Sequence, residues 1–286
     1  MRTLVKSAVI ACAFAVPAYS AQACPGFALD VQPVGATSYN PNDAGYLAMQ
    51  FELTLVGGPA EASCSNTIIE VSPRGPISLF ALQNGASVIQ ADPDIATRSF
   101  SVFNDATLRL SGYSVQQLIR TGRVLVTYAQ LKPGIFAPAG RYTNILDISV
   151  NGQVVASFEP ELVLEPAMRL FGDMSDGQGR ADFGILESFD RVTTDFVYQA
   201  NTRLFVSARS ENRGSMVHED GDATGRIAYS VRVNNSPLRT DGSQTVPLVS
   251  NLGVRGLGSV QMETGDIGNP VAGQYSDTLT LQFVAE

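Results

Sequence analysis

Towards the end of the chain the apolar positions follow a period of two. Tyr275, Leu279, Leu281 and Phe283 fall on one face of an extended segment, and Thr278, Thr280 and Gln282 fall on the other. That pattern predicts a strand with one face against a core. Strand-like runs recur at 46–56, 67–71, 77–82 and 124–131, and again at 181–186, 194–198, 202–208, 227–234, 245–249 and 259–263. Gly, Pro, Asn and Asp cluster between them, and short strands at this spacing predict an all-β chain of sandwich type. One helix interrupts the strands: Val115, Leu118 and Ile119 stand at helical spacing, with Ser114 expected as N-cap and Gly122 as the C-terminal stop.

The closing pattern occurs twice. Residues 139–150 (AGRYTNILDISV) align without gaps on 272–283 (AGQYSDTLTLQF), an offset of 133 residues, with identities at Ala, Gly, Tyr and Leu. Each copy reads as a Gly turn feeding an alternating strand, and the offset is one domain length, so two tandem sandwiches are expected. The expected division is a signal segment over 1–23, a first sandwich over 24–160 and a second over 161–286, with Pro160 and Pro166 bracketing the crossing. After Val150 the first copy runs on through the hairpin turn Asn151-Gly152 into 153–158 and 162–164, whereas the second reaches Glu286 three residues after Phe283. A further strand is therefore expected in the first domain and not in the second, which would leave an edge open.

Residues 1–23 read as a secretory signal: Arg2 and Lys6 make a positive start, 8–16 is unbroken apolar sequence, and Ala21-Gln22-Ala23 is a small-x-small cleavage site. Cleavage removes Cys12 and leaves Cys24 and Cys64, enough for one disulfide in an oxidising compartment. Closing that 41-residue loop would be worth about 4 kcal/mol. Cleavage also takes two of the 19 Lys and Arg and none of the 27 Asp and Glu, so the net charge moves from -8 to -10. An acidic chain lacks the basic footprint of a nucleic-acid binder. With 44% hydrophobic residues it can bury a core, unlike a disordered chain.

Catalytic and metal chemistry find little support. There is no Gly-x-Ser-x-Gly elbow, His-Glu-x-x-His, P-loop or dinucleotide fingerprint. The sole histidine, His218, is followed by Glu219, Asp220, Gly221 and Asp222, which suggests a solvated turn. The oxygen-rich stretch 173–182 has its Gly one place early for a calcium loop and no closing Glu, so it too reads as a turn. No cofactor, no metal and no enzymatic activity are expected.

At the two repeat endings, Gly-x-Tyr-x-Asn/Asp followed by alternating apolar residues resembles the closing strand of spore coat U domains, the subunit domains of archaic, Csu-type chaperone-usher pili. Residues 181–186 (ADFGIL) are similar to the Phe-Gly element after the first strand of those domains. The resemblance implies an immunoglobulin-like, pilin-like fold that lacks its last strand. A periplasmic chaperone completes such a domain first, and the donor strand of a neighbouring subunit completes it after passage through an outer-membrane usher. It also implies a disulfide near the start of the domain, a role open to Cys24 and Cys64, while the second domain has no cysteine and departs from that pattern. On this reading Tyr275, Leu279, Leu281 and Phe283 form the edge that takes the donor strand. The mature start at Cys24 leaves no extension to donate, so the chain is expected to be a two-domain tip subunit, exported through the periplasm to the cell surface. A surface receptor is expected to meet turn-rich loops such as 35–45 and 134–138, where Ile135 and Phe136 either stand exposed or pack under a hairpin. The alternative is a secreted sandwich that binds a ligand outside any fibre, with a secreted hydrolase further off.

Overall fold

The computed structural model describes residues 27–57, 64, 66–93, 99–104, 106–248 and 251–285. The expected signal segment and Cys24 lie outside them.

Two all-β bodies follow one another along the chain. The first contains β1 (Ala28–Val34), β2 (Ser38–Tyr39), β3 (Leu47–Gly57), β4 (Ile69–Pro73), β5 (Ala81–Asn84), β6 (Ser87–Gln90), β7 (Asp92–Pro93), β8 (Phe100–Phe103), β9 (Leu108–Leu110), α1 (Gly112–Thr121), β10 (Arg123–Leu131), β11 (Gly140–Thr143), β12 (Leu146–Val150), β13 (Gln153–Phe158) and β14 (Glu161–Leu164). These form sheets of order β1-β3-β10-β7, β2-β14-β11-β5-β6 and β13-β12-β4-β9-β8 around one core. In β3, Met49, Phe51 and Leu53 point inward between Gln50, Glu52 and Thr54, as the period of two requires. Phe51 meets Phe158 of β13 at a ring-centroid distance of 4.9 Å, within the range of favourable aromatic pairs.

The helix forms where expected but begins earlier. Its N-cap is Ser111, whose side chain accepts from the Ser114 backbone N–H, one of the donors the helix leaves unpaired. Ser114 itself is buried and donates to the Ser99 carbonyl. Gly122, at φ 76°, closes the helix, and Val115 and Leu118 bury its apolar stripe.

The boundary also moves. Antiparallel pairing of β14 with β11 and its parallel pairing with β2 keep 161–164 inside the first sandwich. The chain therefore crosses at 165–167 and not at Pro160, because Leu162 and Leu164 complete the first core.

The second body contains β15 (Met168–Phe171), β16 (Arg191–Ala200), β17 (Leu204–Ser210), β18 (Ser215–His218), β19 (Arg226–Val233), β20 (Ser236–Leu238), β21 (Val246–Leu248), β22 (Arg255–Thr264), β23 (Tyr275–Ser276) and β24 (Leu279–Ala285). A large sheet of order β15-β16-β22-β19-β18-β23, with β20 on β19, faces a small sheet of order β21-β17-β24 across the second core. Residues 181–186 form no strand here, contrary to the sequence pattern.

Asn201 holds the crossing. Fully buried, it accepts from the Ala167 N–H at 2.7 Å and donates to the Glu165 carbonyl at 2.8 Å, while its own backbone carbonyl accepts from Ala139 of the first domain. Around it Asn42 donates to the Met168 carbonyl and Arg169 to the Pro41 carbonyl.

Candidate functional site: an open groove in the second domain

The two repeat copies fold alike in detail. Gly140 and Gly273 take φ of 141° and 152°, values that side chains on L-residues rarely adopt. Tyr142 donates its phenol proton to the carbonyl of Pro138, four residues back, and Tyr275 does the same to Val271. Asn144 and Asp277 each accept, through Oδ1, from the N–H of the next residue, and the chain then enters the long strand.

At that corner the copies diverge in charge. The Asn144 amide donates to the Ser78 and Ala81 carbonyls. Asp277 instead accepts from Ser210 Oγ and Tyr229 Oη, both at 2.5 Å, and from the Asn212 N–H. Burial, with the bond to Asp277 adding to it, holds the Tyr229 phenol above its ordinary range.

Beyond the corner the environments separate. β12 lies between two neighbours: Leu146, Ile148 and Val150 face Pro73, Val71 and Ile69 of β4 on one side, and β13 on the other, and all three are buried. On the outer face Asp147 joins the three strands by accepting from Arg74 and Ser157, and the Arg74 guanidinium holds its carboxyl below the usual range. The equivalent strand β24 pairs with β17 alone, placing Leu279, Leu281 and Phe283 opposite Ser210, Ala208 and Val206. Among the described residues nothing pairs with its other edge. Val206 and Ala208 are buried whereas Leu279, Leu281 and Phe283 remain half-buried. The core is closed over β17 and open over β24.

The opening is a groove of about 940 Å³. Phe196, Val260 and Met262 of the large sheet form its floor, and Leu279, Leu281 and Phe283 form one wall. Phe196 and Phe283 meet across it, edge to face, at 5.9 Å. Tyr275 and Asp277 stand at one end, so all four expected edge residues are brought to one site. An apolar groove beside an unpaired strand edge offers an incoming chain both main-chain hydrogen bonds and pockets for alternate side chains.

His218 is not in a solvated turn. It is 4% exposed at the end of β18, donates from Nε2 to the Ala272 carbonyl, accepts the Asp220 N–H at Nδ1 and meets Tyr275 edge to face at 5.1 Å. Its role is to seat the Gly273 turn that aims β24. No sequence motif signalled this, and only the pairing of β18 with β23 brings the residues together.

Both expected receptor loops reach the junction between the domains. Phe136 is 7% exposed, with Arg169 of the second domain 5.5 Å above its ring and the Gly253 backbone against its carbonyl. Ile135 packs against the first core. Pro41 and Asn42 bond to the second domain, whereas 35–38 and 42–45 remain exposed. The physical cause is position: both loops flank the strand that leaves the first sandwich. Cys64 is buried, and its expected pairing with Cys24 falls outside the described residues. The described residues contain no cluster of three or more metal-ligating side chains.

No family model matches the chain, and no curated protein matches it in sequence. Among solved structures it is similar to the complex of chaperone and tip adhesion subunit from archaic chaperone-usher Csu pili of Acinetobacter baumannii, at 15% identity over 90% of this chain and 99% of that one, with TM-score 0.46. CfaE, the adhesive subunit of CFA/I fimbria of enterotoxigenic Escherichia coli, matches at 10% identity over 91% and 81%, TM-score 0.37. The CupB6 tip adhesin of Pseudomonas aeruginosa matches at 12% over 90% and 94%, TM-score 0.31. Likenesses this distant carry no functional argument, which has to come from the groove.

Proposed function

We propose that the protein is a non-enzymatic subunit of a chaperone-usher pilus, the two-domain tip subunit, whose second domain is completed by a strand from another chain. One observation carries this reading. Among the described residues the same repeat closes its sheet with β13 in the first domain and leaves the corresponding edge of β24 open in the second. An exposed apolar edge is an aggregation liability that proteins cover, and here the cover would come first from a periplasmic chaperone and then, after the usher, from the neighbouring subunit. The tip position is supported by the asymmetry, since among the described residues the unpaired repeat strand belongs to the second domain alone. Export by a cleaved signal, display on the pilus and a Cys24–Cys64 disulfide belong to the same reading, as does recognition of a receptor by a surface of the first domain away from the junction.

The test uses the mature chain with and without a donor strand fused after Glu286. The fused form is expected to unfold with its second transition at higher temperature, and the unfused form to depend on co-expressed chaperone for its yield. An unfused chain that is monomeric, independent of chaperone and equal in melting behaviour to the fused one would refute the proposal.

A further inference from the structure

Between β15 and β16 the chain makes a long excursion without a strand. It begins with a short 3-10 turn (Gly172–Met174) and runs to Asp190. Its far end is anchored: Asp190 N–H donates to Thr264 Oγ1, that hydroxyl donates to the Glu187 carbonyl, and the Phe189 N–H donates to the Gly265 carbonyl. From 175 to 186, by contrast, the described hydrogen bonds are local, such as Gly177 to Met174, Gln178 to Asp176 and Gly184 to Asp182. Nothing in that stretch joins a ladder. Yet Phe183 and Leu186 line the groove together with Leu279 and Leu281, while Ile185 between them is 90% exposed.

We infer that residues 175–186 are a displaceable cover for the groove, lining it through Phe183 and Leu186 without joining its ladder until a strand enters. The inference rests on the strand-acceptor reading and adds to it a step of exchange. The segment lines the site with side chains but forms none of the main-chain bonds that an entering strand would gain, so exchange favours the strand. The two anchored ends allow the middle to lift without unfolding either sheet, as segments with few buried contacts and no ladder bonds do. While the cover is in place only part of the population is open, which lowers the apparent affinity for a strand by that fraction. The apolar residues of 181–186 mimic an inward strand in sequence, but Gly184 at φ 64° breaks its extension.

The experiment measures uptake of a fluorescent peptide of alternating Val and Thr, long enough to span β24, by the full mature chain. Phe183→Ser with Leu186→Ser is expected to raise the uptake rate about tenfold by opening the covered population, and Ile185→Ser to leave it unchanged. On the unmodified chain, peptide binding is expected to speed tryptic cleavage after Arg180, a measurement that stands even if the double variant fails to fold. Equal uptake by the unmodified chain and the double variant, with cleavage after Arg180 unaltered by peptide, would overturn the cover while leaving the groove as an acceptor. Absence of uptake by every form would overturn the acceptor reading itself and the cover with it.

Discussion

Replacing Gly273 by Ala should destabilise the second domain more than replacing its repeat partner Gly140 destabilises the first, for a reason visible in the two sites. Both glycines occupy backbone conformations that cost another residue about 1–3 kcal/mol. A Cβ on Gly140 would meet the end of the Asn84 side chain at 2.6 Å, which can swing aside. A Cβ on Gly273 would lie 2.1 Å from His218 Nε2, on a buried ring fixed by hydrogen bonds at both nitrogens. Moving that ring forfeits two bonds worth about 0.5–1.5 kcal/mol each. Gly273→Ala should therefore cost about 2–6 kcal/mol and Gly140→Ala about 1–3. Differential scanning calorimetry of the mature chain should show Gly140→Ala lowering only the first-domain transition and Gly273→Ala only the second. In a double-mutant cycle, the cost of Gly273→Ala should shrink by about 1–3 kcal/mol when His218 is already Ala. Equal costs for the two glycines, or no coupling to His218, would refute the claim that the imidazole seats the turn.

Asn201→Ala leaves the Ala167 N–H and the Glu165 carbonyl without partners in a buried junction, so it should cost about 2–5 kcal/mol and broaden the distribution of interdomain angles seen by small-angle X-ray scattering. Leu281→Asp places a carboxylate on the apolar wall of the groove and should abolish both peptide uptake and co-purification with a chaperone, whereas Leu257→Asp, at a side chain 78% exposed, should leave both intact. Tyr128 is buried with no hydrogen-bond partner among the described residues, and burial pushes its phenol up from an ordinary value of 10.0. A raised folded value means that the stability linked to this proton is present below pH 10 and is lost as pH rises beyond it. Tyr128→Phe removes a buried hydroxyl that has no partner among the described residues, so it should raise stability at neutral pH by up to about 1–3 kcal/mol and move alkaline unfolding to higher pH, as followed by circular dichroism.

Much of this architecture is legible in local pattern. The run 46–56 becomes β3 and 194–198 the middle of β16, because a period of two with one apolar face has few other stable uses. The repeat located the groove strand, since Leu279, Leu281 and Phe283 stand where Leu146, Ile148 and Val150 stand in the first copy. Three features escaped. Ser111 won the N-cap over Ser114 because the helix starts one turn earlier than its apolar spacing shows. Between Gly134 and Pro138 the pattern left Phe136 either exposed or packed, and the cover it finds comes in part from Arg169 of the second domain, which no local pattern shows. Asn201 has no distinctive surroundings in the sequence, as its partners are backbone groups more than thirty residues away.

What the sequence determined alone is most of the longer strands, such as β3, β10, β16, β19 and β24, their inward faces and the duplication that relates β12 to β24, because these follow from side-chain alternation within one segment. Which strand stands beside which was decided by tertiary structure. Alternation marks a face as apolar without saying whether a neighbour covers it. Ile148 is enclosed by β4 and β13, while its counterpart Leu281 has β17 on one side and an open groove on the other. Pairing is a relation between distant segments, and only the folded chain shows which edges are met and which are left open.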